Sequence, residues 1–162
     1  MELGKLKHIF NKEKLKRFIK KILLINAEPW RIALSVAIGI FIGLFIPVGF
    51  QTIITIPLAL FLQCNLFLAT TATLISNPLT VVPLYYLNIK IGSFFTSIQI
   101  STDEFINLTS NFSFDSFQKL GADLLIVFFT GSFVEGLVAG ILSYFIVLQS
   151  VKFYRKSKYH NC

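Results

Sequence analysis

Residues Ile32–Ile89 read IALSVAIGIFIGLFIPVGFQTIITIPLALFLQCNLFLATTATLISNPLTVVPLYYLNI, a stretch of 58 residues without one Asp, Glu, Lys or Arg. A surface element of a soluble domain carries charge on its wet face. A span this long with none has lipid or neighbouring helices as its solvent. It is long enough for two or three bilayer crossings at about 20 residues each. Two polar, proline-bearing knots interrupt it: Pro47-Val48-Gly49-Phe50-Gln51-Thr52 and Asn77-Pro78-Leu79-Thr80-Val81-Val82-Pro83. Non-helical backbone at membrane depth must line a cavity or be buried in protein, so any function is expected at these knots.

The rest of the 162-residue chain agrees. It is 54% hydrophobic and 14% charged, the latter about half the share usual for soluble domains. The net charge of +7 is unevenly placed. Nine of the fifteen basic residues lie between Lys5 and Arg31, and Lys152, Arg155, Lys156 and Lys158 follow the last apolar run. Basic clusters that flank membrane segments point to topology and anionic lipid, and not to nucleic acid. The two cysteines, Cys64 and Cys162, lie in unlike contexts and suggest neither a disulfide nor a metal site.

The expected fold class is all-α: a small polytopic membrane helix bundle with proline-broken or re-entrant helices, preceded by an amphipathic N-terminal helix. Residues 1–27 place Leu15, Phe18, Ile19, Ile22 and Leu23 on one helical face and Lys14, Lys16, Arg17, Lys20 and Lys21 on the other, a pattern suited to anionic headgroups. The membrane domain covers 28–150, with segments at 31–46, 53–76, 79–98 and 122–150, a loop at 99–121 and a basic tail at 151–162. With basic ends and an acidic loop (Asp103, Glu104, Asp115), both termini are expected in the cytoplasm and the loop outside. Four crossings would put the first knot outside and the second inside. Alternatively, the knots tip short half-helices inward so that they meet.

Small residues form stripes at spacing four. Ser35, Gly39 and Gly43 form one, Asn65, Ala69, Thr73 and Asn77 a second, and Gly131, Glu135, Ala139 and Ser143 a third. Such faces let helices approach closely. An amide or carboxyl facing lipid would be left unpaired, so Asn65, Asn77 and Glu135 are expected to point into the protein.

The order Pro29…Ala33…Gly39-x-Phe41-x-Gly43…Pro47-x-x-x-Gln51-Thr52…Ala59…Asn65…Asn77-Pro78-x-Thr80-x-x-Pro83…Gly92 resembles the bacterial DUF2062 family over roughly residues 28–150. The chain departs from the pattern at Gln63, where a basic residue is expected. The resemblance implies a multi-pass inner-membrane protein of uncharacterised activity. Relatives are sometimes joined to glycosyltransferase-like domains, which hints at cell-envelope or lipid-linked sugar traffic.

No enzymatic constellation is visible. His8 and His160 lie in the tails, and no Ser/His/Asp set, Cys/His set or phosphate loop is present. Neither catalytic residues, nor a metal, nor a cofactor is expected. The expected binding residues are Pro47, Gly49, Gln51, Thr52, Asn65, Asn77, Pro78, Thr80, Tyr85 and Glu135. Together they suggest a small transporter or flippase-like protein handling a polar or anionic solute or lipid headgroup at the knots. The alternative is a non-catalytic accessory subunit packing with a partner helix, in which a partner membrane helix or a second copy is the protein partner.

Overall fold

The computed structural model describes residues 27–98 and 121–160. The amphipathic helix expected over 1–27 and the loop over 99–121 lie outside the described residues, apart from their boundary residues. Every described element is helical. They are α1 (Pro29–Phe45), α2 (Gln51–Phe61), α3 (Leu66–Ala72) with a 3₁₀ turn Thr73–Ile75, α4 (Val81–Thr96) and α5 (Gly121–His160).

The spine is α5. Its 40 residues extend about 60 Å at 1.5 Å per residue, and two shorter helices lie end to end along it. On the C-terminal half, Gly140 and Gly136 face Ala37 and Phe41 of α1, and Ile32 clusters with Val151 and Leu68. On the N-terminal half, Gly131 faces Asn88 of α4 and Val127 faces Gly92. As α1 or α4 numbers rise, α5 numbers fall, so both short helices run antiparallel to the spine. A layer of rings made by Phe41, Phe45, Phe129 and Phe133 fills the middle, with centroids 5.5–6.0 Å apart.

Pro29 starts α1 at the first helical turn, where its missing N–H costs nothing, and Pro47 follows its end. The segment expected as one helix over 53–76 is instead a helical hairpin. Helix α2 closes with a Schellman cap: Cys64 N–H donates to Ala59 O at 2.8 Å and Gln63 N–H to Leu60 O at 3.1 Å. Gln63 takes the left-handed position (φ 52°) usually held by glycine. Asn65 then N-caps α3, its Oδ1 accepting from Leu68 N–H at 3.1 Å. The asparagine read as one member of a continuous stripe therefore marks a helix start. Pro57 lies inside α2 without ending it.

Helix α3 runs parallel to α1 in a constant register, 35 with 65, 39 with 69 and 43 with 73. Asn65 N–H donates to Ser35 Oγ at 2.8 Å. A Cβ on Gly39 would lie 2.2 Å from Ala69 O, and one on Gly43 2.9 Å from Thr73 O. The two small-residue stripes thus zip together backbone to backbone, as their spacing suggested. The hairpin leaves the C-terminal end of α1, descends to the level of Ser35, and returns to Gly43.

Two further expectations change. The basic tail expected from 151 is the continuation of α5, helical to His160. It is tied to the start of α1 by Arg155 Nη2 donating to Ala27 O at 2.8 Å. Among the described residues one helix is long and apolar enough to cross a membrane: α5 over Asp123–Ser157, with a window of mean hydropathy 2.1, of which 33% is buried within the molecule. Helix α1, at about 25 Å, falls short of the ~30 Å hydrocarbon core, and α2 and α3 are shorter still. The polytopic expectation is therefore met by length in one helix only.

Candidate functional site

The joint between α1 and α4, halfway along α5, brings the two knots together. The two knots are thereby brought into direct contact. Gln51, at the first position of α2, turns its carboxamide back under the end of α1. Nε2 shares its N–H groups among Gly43 O (3.0 Å), Ile46 O (3.0 Å) and Ser76 Oγ (2.6 Å). Ser76 Oγ in turn donates to Gly43 O at 2.5 Å. The C-terminal carbonyls of a helix have no partner of their own; here a glutamine from the first knot and a serine beside the second supply one. Gln51 is 6% exposed and Ser76 4%.

The second knot closes on itself. Asn77 Oδ1 accepts from Leu79 N–H (2.9 Å) and Thr80 N–H (3.2 Å), and Thr80 Oγ1 donates to Ile75 O (2.7 Å) while accepting from Asn77 N–H (2.9 Å). This Asx-turn occupies the amide groups leading into α4. Val48 N–H of the first knot donates to Tyr85 Oη at 3.1 Å, which stitches the knots from the other side. The Tyr85 ring packs on Phe128 of α5 at 4.9 Å.

Of the residues expected at the site, Pro47, Gln51, Asn77, Thr80 and Tyr85 converge on this joint. Gly49, Thr52 and Pro78 lie on its exposed rim. Gly49 holds φ 107° with open space around it, a conformation that asks for glycine. Asn65 is elsewhere, at the tip of the hairpin beside Ser35. Glu135 is half-buried one turn along α5 from Gly131, and its Oε2 is buried without a partner.

Three residues escaped the sequence reading. Ser76 is the hub of the Gln51 network; it stands beside Asn77-Pro78, but a serine there gives no signal of its own. Asn88 and Thr55 are 1% and 0% exposed. Among the described residues the buried side-chain atoms without a hydrogen-bond partner are Thr55 Oγ1, both ends of the Asn88 carboxamide and Glu135 Oε2. Asn88 lies in the same uncharged stretch as Asn65, and the reasoning applied to Asn65 reaches it equally.

Below the joint, α1 and α5 enclose an apolar groove of about 550 Å³, floored by Gly136 and Gly140 and walled by Leu34, Ala37, Phe41 and Phe145. Gly136 sits against Phe41 O, 3.1 Å from where its Cβ would be, so α1 covers one side of this small-residue face and leaves the groove beside it. Among the described residues no group of His, Cys, Asp and Glu could hold a metal ion. Residues 12–160 match the model of a family described as an uncharacterised protein conserved in bacteria, DUF2062. No curated protein and no solved structure matches.

Proposed function

The chain belongs to the DUF2062 family, and we propose that it is a small integral protein of the bacterial inner membrane that moves a polar or anionic headgroup at the joint of its two knots. One observation carries the reading: large apolar side chains cover the outside, while polar side chains are buried beside the apolar core. Ser35, Gln51, Thr55, Thr73, Ser76, Asn88 and Ser132 are buried, while Phe61, Ile53 and Ile146 are 63–83% exposed. Exposed apolar surface on this scale asks for lipid.

The register supports a depth. Lys90 lies opposite residue 129 of α5, midway between the Asn88–Gly131 and Gly92–Val127 contacts. It is exposed and stands over the Tyr86 ring at 5.5 Å. At the other end Lys152, Lys156 and the Arg31–Trp30 pair, 5.2 Å apart, form a second belt. From 129 to 152 along α5 is about 34 Å, close to the ~30 Å of hydrocarbon. Cations and aromatic rings belong at such levels. In this reading α5 crosses the bilayer and α1 crosses beside it, with the residues up to Val48 making up its shortfall in length, α2–α3 is re-entrant, and α4 stands at the far face. Both basic ends are cytoplasmic, and residues 1–27 lie on anionic headgroups. Both knots then open to the outside, directly above the groove. A headgroup at the rim of Gly49, Thr52 and Pro78 with an acyl chain in that groove is the occupant its chemistry suits.

Glu135 is the acid beneath this rim. Glu135→Gln should insert and fold normally yet fail to complement loss of the gene in its host. Full complementation would contradict the transport reading. The accessory-subunit alternative rests on the exposed apolar face of α2 (Ile53, Leu60, Phe61). It predicts a stoichiometric partner or second copy after mild extraction.

A further inference from the structure

The unpaired polar atoms of Asn88 and Glu135 lie on one seam. Gly131 seats on the Asn88 backbone so closely that a Cβ would lie 1.7 Å from Asn88 O. Glu135 follows Gly131 by four residues, on the same face of α5. In any α-helix the Cα–Cβ bond leans toward the N-terminus. Since α4 and α5 are antiparallel, Asn88 leans toward the level of Glu135, and Glu135 leans toward the level of Asn88. Their backbones are offset by about one turn, ~6 Å, and the two side chains lean toward each other across that offset.

We propose that Glu135 and Asn88 form a binding site for a small monovalent cation, a proton or sodium ion, held between the Glu135 carboxylate and Asn88 Oδ1. A desolvated carboxylate needs a compensating positive charge, and among the described residues the neighbouring elements offer no fixed one. Lys90 on α4 is exposed over Tyr86. Helix α1 has no ionisable residue after Arg31, at its far end. Tyr85 Oη already accepts from Val48. The other acid of α5, Asp123, is exposed and about 18 Å away along the helix. A single negative charge is neutralised by one monovalent cation; a divalent ion such as calcium asks for more carboxylates. When sodium binds, the carboxyl proton leaves to the medium, so the two cations exchange one for one. The site deepens the transport reading by naming its coupling ion and rests on that reading for its purpose, while binding itself is measured without transport.

The test uses the full-length protein in lipid nanodiscs and dicyclohexylcarbodiimide, which modifies protonated carboxyls in apolar surroundings. Modification is mapped by mass spectrometry, with Glu135→Gln as the site control. Labelling of Glu135 should fall at least fivefold as pH is raised. If sodium is the ion, sodium chloride in place of N-methylglucamine chloride should protect by a similar factor. In Asn88→Leu the sodium protection should vanish, or, if the ion is the proton alone, the pH midpoint should move. Asn88→Gln, which displaces the same chemistry by one methylene, is read in the same way should the leucine variant fail to assemble. Labelling indifferent to both pH and sodium, or Asn88 variants that behave as wild type, would overturn the proposal. A protein that binds the cation yet passes the complementation test as Glu135→Gln loses the transport role of the site, not the site.

Discussion

The seam between α1 and α3 and the seam between α4 and α5 use the same device and keep different hydrogen-bond accounts. In both, glycine lets one helix rest on the backbone of the other: Gly39 on Ala69, Gly131 on Asn88 and Gly92 on Val127. Along the first seam the polar groups are matched, Ser35 with the Asn65 amide and Ser76 with Gly43 O. Along the second, Asn88 and Glu135 are left open. Close packing needs only small residues. Polar side-chain atoms buried without a partner add nothing to packing and cost stability, which is why the second seam is the one to question about function.

The largest effects should come from the glycines themselves. Gly131→Ala and Gly39→Ala place a methyl 1.7 Å and 2.2 Å from backbone oxygens, and backbone cannot step aside as a side chain can. Both should lose more than the ~1–3 kcal/mol typical of an overpacked core, seen as loss of a monodisperse peak or a much lower melting temperature in detergent. Gly136→Ala, with 3.1 Å to Phe41 O, should be clearly milder. Equal tolerance at all three would mean that the seams are looser than this register implies.

Gln51→Leu comes next. It strips donors from Gly43 O, Ile46 O and Ser76 Oγ at once, and should cost ~1–3 kcal/mol for the buried acceptor least able to find another donor. Thermal unfolding of the purified variant measures it. Stability like wild type would show that the knots are not tied through this carboxamide.

The smallest effects separate the seams most sharply, because they differ in sign. Ser35→Ala should destabilise by about 1 kcal/mol, the net worth of one hydrogen bond. Asn88→Leu, nearly equal in shape, removes two unpaired polar atoms and should leave stability unchanged or raise it. A destabilised Asn88→Leu would mean that its carboxamide is paired after all, and the two seams would then be alike.

Much of this was legible before any coordinates. The uncharged span, the stripes Ser35-Gly39-Gly43 and Ala69-Thr73, and the two knots follow from composition and spacing of four, because helix geometry fixes which residues share a face. The hairpin was not legible. Its break at Leu62–Asn65 contains neither glycine nor proline, and Gln63 takes a left-handed position without the residue that usually announces one. Asn65 read equally well as a buried stripe member and as a helix cap, and the cap prevailed. The site was half legible. Gln51, Asn77, Thr80 and Tyr85 do meet, but most of their hydrogen bonds are spent on holding the chain. The open polar groups sit at Asn88 and Glu135, where pairing depends on a contact between residues far apart in sequence.

The central claim is that the α2–α3 hairpin enters and leaves on one face, so that both knots lie on the same side of the membrane. It is tested most directly with single cysteines at Val48 and at Leu79, each at the exposed rim, in a background with Cys64 and Cys162 replaced by serine. Intact cells are treated with a membrane-impermeant maleimide. Both positions should label from outside, at similar rates. Labelling of Val48→Cys from outside with Leu79→Cys reached only after the cells are opened would contradict the account.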